Sequence, residues 1–463
     1  MSAATFAVTN PATGKHLEDV ADLTAEQALE KVKSAQQAFT SWREVAPRKR
    51  AEILAKAHEL MIADVDRLRD LMVAENGKSL ADAEAEVRYA AEFFRWYAEE
   101  AVRMHGDFMT APVGGVRNVV THHPVGVCLL ITPWNFPAAM ATRKIGPALA
   151  AGNAVVLKPA RETPLTAIAI VDLLVRAGLP ADAVQVVTTT GTREVVSALL
   201  ADDRLKKLSF TGSTAVGRNL LSQCAQRVVN ATMELGGNAP FIVTADADID
   251  AAVEGAMIAK FRNGGQACTA ANKIYVHADV AEQFIEAFGT KISQLSVGDA
   301  AEGAAIGPVI HDKAAGEIRG LIDSAVADGA TIAYQAQVPD SVATDAFVAP
   351  TLLSNVSADA AVLKEEIFGP VAPVVVWDDL DEMLTQVNDV EVGLSSYVYS
   401  GKLQDAMKIG ERLEAGMVGI NRGIVSDPSA PFGGVKQAGI GREGGHWGIE
   451  EFTEPQYMAV DWS

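Results

Sequence analysis

The chain has 463 residues, 49 % of them hydrophobic and 21 % charged. That is a globular composition with length for two or three domains, and it excludes wholesale disorder. Its 59 acidic and 39 basic residues give a formal net charge of −20, which argues against nucleic acid or an anionic membrane as partner, because phosphate binding needs a basic face.

The three cysteines, Cys128, Cys224 and Cys268, make no disulfide framework and point to a reducing compartment. No Cys/His cluster has zinc spacing, so no metal is expected. The N-terminal Met-Ser-Ala-Ala-Thr-Phe lacks the basic and apolar regions of a signal peptide. The longest apolar stretch, residues 125–141, is broken by Pro133 and Pro137 and does not read as a membrane span. A cytoplasmic location is expected.

The first hundred residues read as helical. Thr24 is a good N-cap for a helix to about Phe39. Pro47 opens a second helix, with apolar residues from Ile53 to Met72 recurring at three and four, which Asn76-Gly77 ends. Ser79 caps a third, to about His105, in which Phe93, Phe94, Trp96 and Tyr97 read as packing residues. Residues 106–123 are polar, glycine-bearing and partly alternating, as in a hairpin projecting from the body.

From residue 126 the pattern changes. Short apolar runs at 126–131, 154–157, 184–187 and 207–210 alternate with helical segments at 138–150, 163–176 and 194–201. This predicts a parallel sheet with helices on both faces, where ligands bind beyond the carboxyl ends of the strands. Those ends carry Thr132-Pro133-Trp134-Asn135-Phe136-Pro137, Lys158-Pro159-Ala160-Arg161 and Thr211-Gly212-Ser213. Gly212-Ser213 opens a helix running to about Cys224, and free N–H groups at such a terminus seat a phosphate. Residues 212–217 are not G-x-G-x-x-G, so the ordinary dinucleotide fingerprint is absent. Together the loops predict a nucleotide-binding crevice.

A second α/β region begins near residue 233, with strands at 240–243, 273–276 and 416–421 and helices at 249–262 and 280–296; residues 450–461 are extended. The helix at 249–262 delivers the chain to Phe-Arg-Asn-Gly-Gly-Gln-Ala-Cys-Thr-Ala-Ala-Asn, residues 261–272. Gly264 and Gly265 allow an unusual backbone path there, and small residues leave the Cys268 thiol accessible. Taken alone, Cys268 is either a nucleophile or a small buried hydrophobe, the commoner fate of a free cysteine.

Six motifs stand in order along the chain: residues 132–137, 210–213, 233–238, 265–268, 365–370 and 431–434. In these the chain resembles the NAD(P)-dependent aldehyde dehydrogenases over essentially its whole length. Phe261-Arg262-Asn263 and residues 140–146 and 439–444 are most similar to succinate-semialdehyde dehydrogenases. The fold implied is α/β: a Rossmann-type cofactor domain (1–105 and 124–233), an α/β catalytic domain (234–430) and a small β oligomerisation arm (106–123 and 446–463). That arm implies a homodimer or homotetramer.

The resemblance also implies the chemistry. Cys268 is the nucleophile, the Asn135 side-chain amide and the Cys268 N–H stabilise the oxyanion, and Glu234 activates the water that hydrolyses the thioester. A water base argues against the branch that transfers the acyl group to coenzyme A. Trp134, Asn135, Lys158, Pro159, Ala160, Arg161, Gly212, Ser213, Leu235, Glu366 and Phe368 are implied to hold the cofactor. Many NAD-preferring relatives have Glu at the position of Arg161. An arginine there either neutralises a 2′-phosphate, which gives NADP as the preferred cofactor with NAD possible, or is a solvated loop residue. Arg143, Arg262 and Ser426 are implied to hold the carboxylate tail of succinate semialdehyde; the alternative for both arginines is a scaffold ion pair. Arg422, Asp427 and Pro428 depart from the family pattern, so glutarate semialdehyde, or an aromatic or aliphatic aldehyde, is the alternative substrate. Ala270 stands where some relatives carry a second cysteine, and no disulfide switch is expected.

Overall fold

The computed structural model of the protein describes residues 4–462. Its N-terminal part opens with a hairpin, Thr5–Thr9 against His16–Ala21, in a region that reads as helical from sequence. Both strands are short and mostly exposed, so their alternation is weak. Thr24 then caps the helix Ala25–Trp42 through a reciprocal capping box with Gln27. The single helix expected from Pro47 to Asn76 is two, Pro47–Ala63 and Val65–Asn76. Asp64 leaves helical geometry at φ −109°, ψ 18°, and its carboxylate takes Arg67 Nε at 2.8 Å. The apolar repeat runs on unbroken across this break. Gly77 ends the pair in the left-handed conformation.

Among the described residues, two sheets carry the body of the molecule. The first runs Gly439–Ile440, Asn230–Glu234, Leu205–Thr211, Val127–Ile131, Ala154–Lys158, Val184–Val186. It is parallel except for its first, antiparallel pair. Ile131 stands opposite both Lys158 and Phe210, and Thr211 opposite Glu234. The loops after four strands therefore emerge along one edge. The second sheet runs Thr331–Gln335, Thr351–Ser354, Val371–Trp377, Ala271–His277, Ala239–Val243, Ser395–Tyr399, Met417–Ile420, with only its first pair antiparallel. Covered on both faces by helices, the chain is an α/β protein. A third sheet, Thr453–Asp461, Val116–Pro124 and Asp107–Thr110, is antiparallel. It leaves Phe108, Met109, Tyr457 and Trp462 exposed.

The helix Pro137–Ala151 is the centre of the N-terminal core. All its residues are buried, most of them apolar but with Arg143 and Lys144 among them, and it packs against the helix Leu80–Glu100. Its N-terminus cannot reach water, and Glu86 caps it instead. Oε1 accepts the N–H groups of Ala138 at 2.9 Å and Ala139 at 3.2 Å, while Pro137 has no N–H to satisfy. Lys78 neutralises this carboxylate at 2.5 Å and also donates to the Asn135 carbonyl at 2.7 Å. Both side chains are fully buried. Replacing Lys78 by Met leaves a buried carboxylate without its cation and is expected to destabilise by about 3 kcal/mol; calorimetry should show a lowered Tm, and an unchanged Tm would show that the pair is dispensable.

Candidate active site

One cavity of about 220 Å³ opens between the two large sheets, lined by Trp134, Asn135, Thr211, Gly212, Ser213, Leu235, Cys268, Glu366 and Phe368 among others. Residues from five separated stretches thus meet in one place. Lys158, Pro159, Ala160, Arg161, Glu234, Arg143, Arg262 and Ser426 lie outside that lining.

Cys268 follows a 3-10 turn, Arg262–Gly265, at the end of the helix Ile249–Phe261. Asn263, Gly264 and Gly265 all have positive φ (54°, 60° and 77°), which glycine and asparagine tolerate best. Gly265 has a second constraint: a Cβ there would lie 2.2 Å from the Gly369 carbonyl oxygen. The turn is fixed by side chains. The Asn263 amide donates to the carbonyls of Asn135 (2.9 Å) and Gln266 (3.0 Å), and Asp82 accepts its N–H at 2.9 Å. Asn135 donates to the same Gln266 carbonyl at 3.0 Å. An amide has two such protons, so one remains for a ligand in the cavity, and Asn135 Oδ1 is buried without a partner.

Cys268 is a free thiol, half-buried and facing the cavity. Crowding on its other sides pushes the thiol up to about 12; Glu366 and Glu234 act in the same direction, against Arg143 and Arg262. Burial therefore favours the neutral thiol over the thiolate. Glu234 ends the strand Asn230–Glu234 and is 2 % exposed, with neither carboxylate oxygen hydrogen-bonded. Burial, and then the neighbouring Glu443 carboxylate, push it well above the usual carboxylate range. The backbone of Gly433 passes close enough that a Cβ there would sit 2.9 Å from Glu234 Oε1.

Glu443 was not visible as a site residue in the sequence, although it lies in the motif at 439–444. It pairs with Arg143 Nε at 2.5 Å and with Lys144. Burial raises its carboxyl, but these two cations more than offset that and hold it below the usual range. The Arg143 guanidinium is thus engaged, and it also stacks over Phe432 at 3.9 Å. Arg262 is half-buried with its guanidinium 5.0 Å from the centre of the Phe136 ring. Among the described residues no carboxylate lies within ion-pair distance of it. Tyr89, a further residue missed in the sequence, places a buried hydroxyl in the field of Arg143, Arg262 and Ser426, without a bond of good geometry to any. Its helix reads as a packing helix, and only the fold brings it to the arginines.

On the cofactor side, Trp134 and Phe368 meet edge to face at 5.4 Å. Phe368 has φ 51°, strained for a bulky residue and held by its loop. Ser213 caps the helix Thr214–Ala225, whose N-terminus faces the cavity. Glu366 Oε1 accepts the Gly237 N–H at 3.3 Å, and a Cβ at Gly236 would lie 2.9 Å from its Oε2. The crowded wall raises the Glu366 carboxyl, but the residue is exposed at the cavity mouth, where water moderates the effect. Behind it Lys260 is 1 % exposed; burial pushes its ammonium down to about 7 against the pull of Glu366. Lys158 ends its strand buried, its ammonium pushed down to about 8 chiefly by burial. Arg161 is exposed and pairs with Glu162 at 2.9 Å. A dinucleotide fits this set. The helix N-terminus suits an anion, Thr211 Oγ1 is a buried hydroxyl without a partner on the cavity wall, and the glycine cradle at Gly236 leaves room for a ligand only because no side chain is there.

A neutral thiol reacts slowly with alkylating agents. Iodoacetamide inactivation of the cofactor-free protein should accelerate continuously from pH 7 to pH 9, and a plateau below pH 8 would contradict the raised thiol.

The chain matches the aldehyde dehydrogenase family over residues 1–458. It is similar to a succinate-semialdehyde dehydrogenase of Paenarthrobacter nicotinovorans, 47 % identical over 96 % of this chain and 98 % of that protein. To the succinate-semialdehyde dehydrogenase [NADP(+)] of Escherichia coli it is 45 % identical over 98 % and 94 %. The crystal structure of succinate-semialdehyde dehydrogenase from Burkholderia pseudomallei superimposes with a TM-score of 0.96 at 44 % identity, covering 99 % of this chain and 95 % of that one. With a thiol, an unpaired buried carboxylate and a dinucleotide cradle converging from five stretches of sequence, the chain belongs to the aldehyde dehydrogenase family.

Proposed function

We propose that the protein oxidises succinate semialdehyde to succinate, using NADP in preference to NAD. The observation that carries this reading is the pairing of a cavity-facing thiol with a guanidinium, Arg262, that no carboxylate neutralises. A half-buried, uncompensated cation close to a reactive group suits an anionic substrate tail. Arg143 is bound by Glu443, so in this reading it positions the tail pocket through its remaining donors, with Ser426 and the Tyr89 hydroxyl completing it.

The Cys268 thiol gives up its proton to water and its sulfur attacks the aldehyde carbon, while the free Asn135 amide proton with the Cys268 N–H meets the oxyanion. A nicotinamide held by Trp134, Leu235, Glu366 and Phe368 would supply the hydride acceptor that the oxidation needs, and Cys268 would then carry the acyl group as a thioester. Glu234, raised toward neutrality by its burial, takes the proton of the water that attacks the thioester. Carboxylate product leaves, and the thiol is restored. Trp134, Leu235, Glu366 and Phe368 orient the nicotinamide end, Gly212 and Ser213 the pyrophosphate, and Lys158, Pro159, Ala160 and Arg161 the adenosine end. The first large sheet is read as the core of the cofactor domain (1–105 and 124–233) and the second as that of the catalytic domain (234–430). The exposed apolar face at Phe108, Met109, Tyr457 and Trp462 supports residues 106–123 and 446–463 as an arm that joins subunits into a homodimer or homotetramer. Three free cysteines support the cytoplasm as its compartment.

Glu234→Gln should keep a burst of NADPH formation while steady-state turnover falls about 10²- to 10⁴-fold; loss of the burst would move Glu234 to an earlier step. Arg262→Ala should lower kcat/KM for succinate semialdehyde about 10²-fold and change that for butanal little. Equal losses on both aldehydes would count against the tail assignment.

A further inference from the structure

We propose that Glu162 is a specificity-determining residue for the cofactor: its carboxylate occupies Arg161 in the free protein and competes with the 2′-phosphate of NADP, narrowing the preference over NAD. This rests on the reading of Arg161 as the 2′-phosphate partner.

The strand Ala154–Lys158 ends at the carboxyl edge of the first sheet, and the helix Pro164–Arg176 begins six residues later. The loop between them holds an alternating set of charges. Arg161 Nε and Glu162 Oε1 lie 2.9 Å apart; the arginine side chain is 62 % exposed and the glutamate 25 %. The carboxylate is therefore tucked under an exposed cation. It also reaches Lys158 electrostatically: Glu162 pulls that buried ammonium's pKa back up, whereas Arg161 pushes it down. One carboxylate thus faces both cations of the loop.

The neighbouring helix cannot compensate for that charge. Pro164 has no N–H, and the next two N–H groups, of Leu165 and Thr166, are taken by the buried Glu75 carboxylate at 2.8 and 2.9 Å. A phosphate arriving at this loop finds no free helix N-terminus, only Lys158 and Arg161, and the latter offers its Nε edge to Glu162. To take the guanidinium as a fork the phosphate must displace the carboxylate or share with it. Two anions around one guanidinium repel each other. A cofactor without the 2′-phosphate meets no such conflict, so Glu162 weakens one cofactor and spares the other.

The test is equilibrium binding to the full chain, followed by tryptophan fluorescence, since Trp134 lines the cavity. NADP, NAD, 2′-AMP and 5′-AMP are titrated against the native protein, Glu162→Gln, Arg161→Ala and the double variant. Glu162→Gln should tighten NADP and 2′-AMP about three- to fivefold, the scale of an exposed ion pair. NAD and 5′-AMP should not change, and the gain should vanish in the Arg161→Ala background. Unchanged or weaker NADP binding in Glu162→Gln would overturn the proposal, as would a gain that persists without Arg161 or extends to NAD. Arg161→Ala binding NADP as tightly as the native protein would instead overturn the underlying assignment of Arg161.

Discussion

The geometry of the site depends on one peptide carbonyl, that of Asn135. It accepts the Lys78 ammonium from the N-terminal helices and the Asn263 amide from the nucleophile turn. Lys78 in turn holds Glu86, which caps the central helix. A single oxygen therefore ties the first sheet's loop, the helical layer and the segment that carries Cys268. The Asn135 side chain closes the circuit by donating to Gln266, two residues before the thiol. The charged groups of Lys78 and Glu86 make their bonds stronger than the neutral amide bonds of Asn263 and Asn135, and burial makes every one of them expensive to leave unmade.

The second constraint is electrostatic. Glu234 and Glu443 are both buried, but only Glu443 has cations on it, Arg143 and Lys144. The environment drives the two carboxyls apart, one up and one down. Separation of this kind is what lets one carboxylate stay a fixed charge while its neighbour exchanges a proton near neutral pH. Both cations come from consecutive residues of the helix whose terminus Glu86 caps, so its stability and the titration of Glu234 are linked through the same backbone.

Much of this was legible in the chain. Strand-end loops announced themselves by unusual residues on apolar runs, and the parallel sheet followed from the alternation of elements. Thr24 and Ser79 cap as their side chains dictate. The break at Asp64 was hidden because the apolar repeat on either side stays in phase. The hairpin at residues 5–21 was hidden because its strands are short and exposed. At the site, the stretches were readable but their pairing was not. Arg143, Lys144 and Glu443 are about three hundred positions apart in sequence, and Tyr89 sits on a helix whose aromatic run looks purely structural. Only burial shows that the Arg143 charge is already matched and that Arg262 has no such match.

The protonation of the Cys268 thiol bears on its survival. Peroxide and other oxidants act on thiolates, and a sulfenic acid formed at a lone cysteine can advance to irreversible acids. A second thiol beside the first could trap it as a disulfide, but Ala270 occupies that position. Burial pushes the Cys268 thiol up and so favours the form that oxidants attack least.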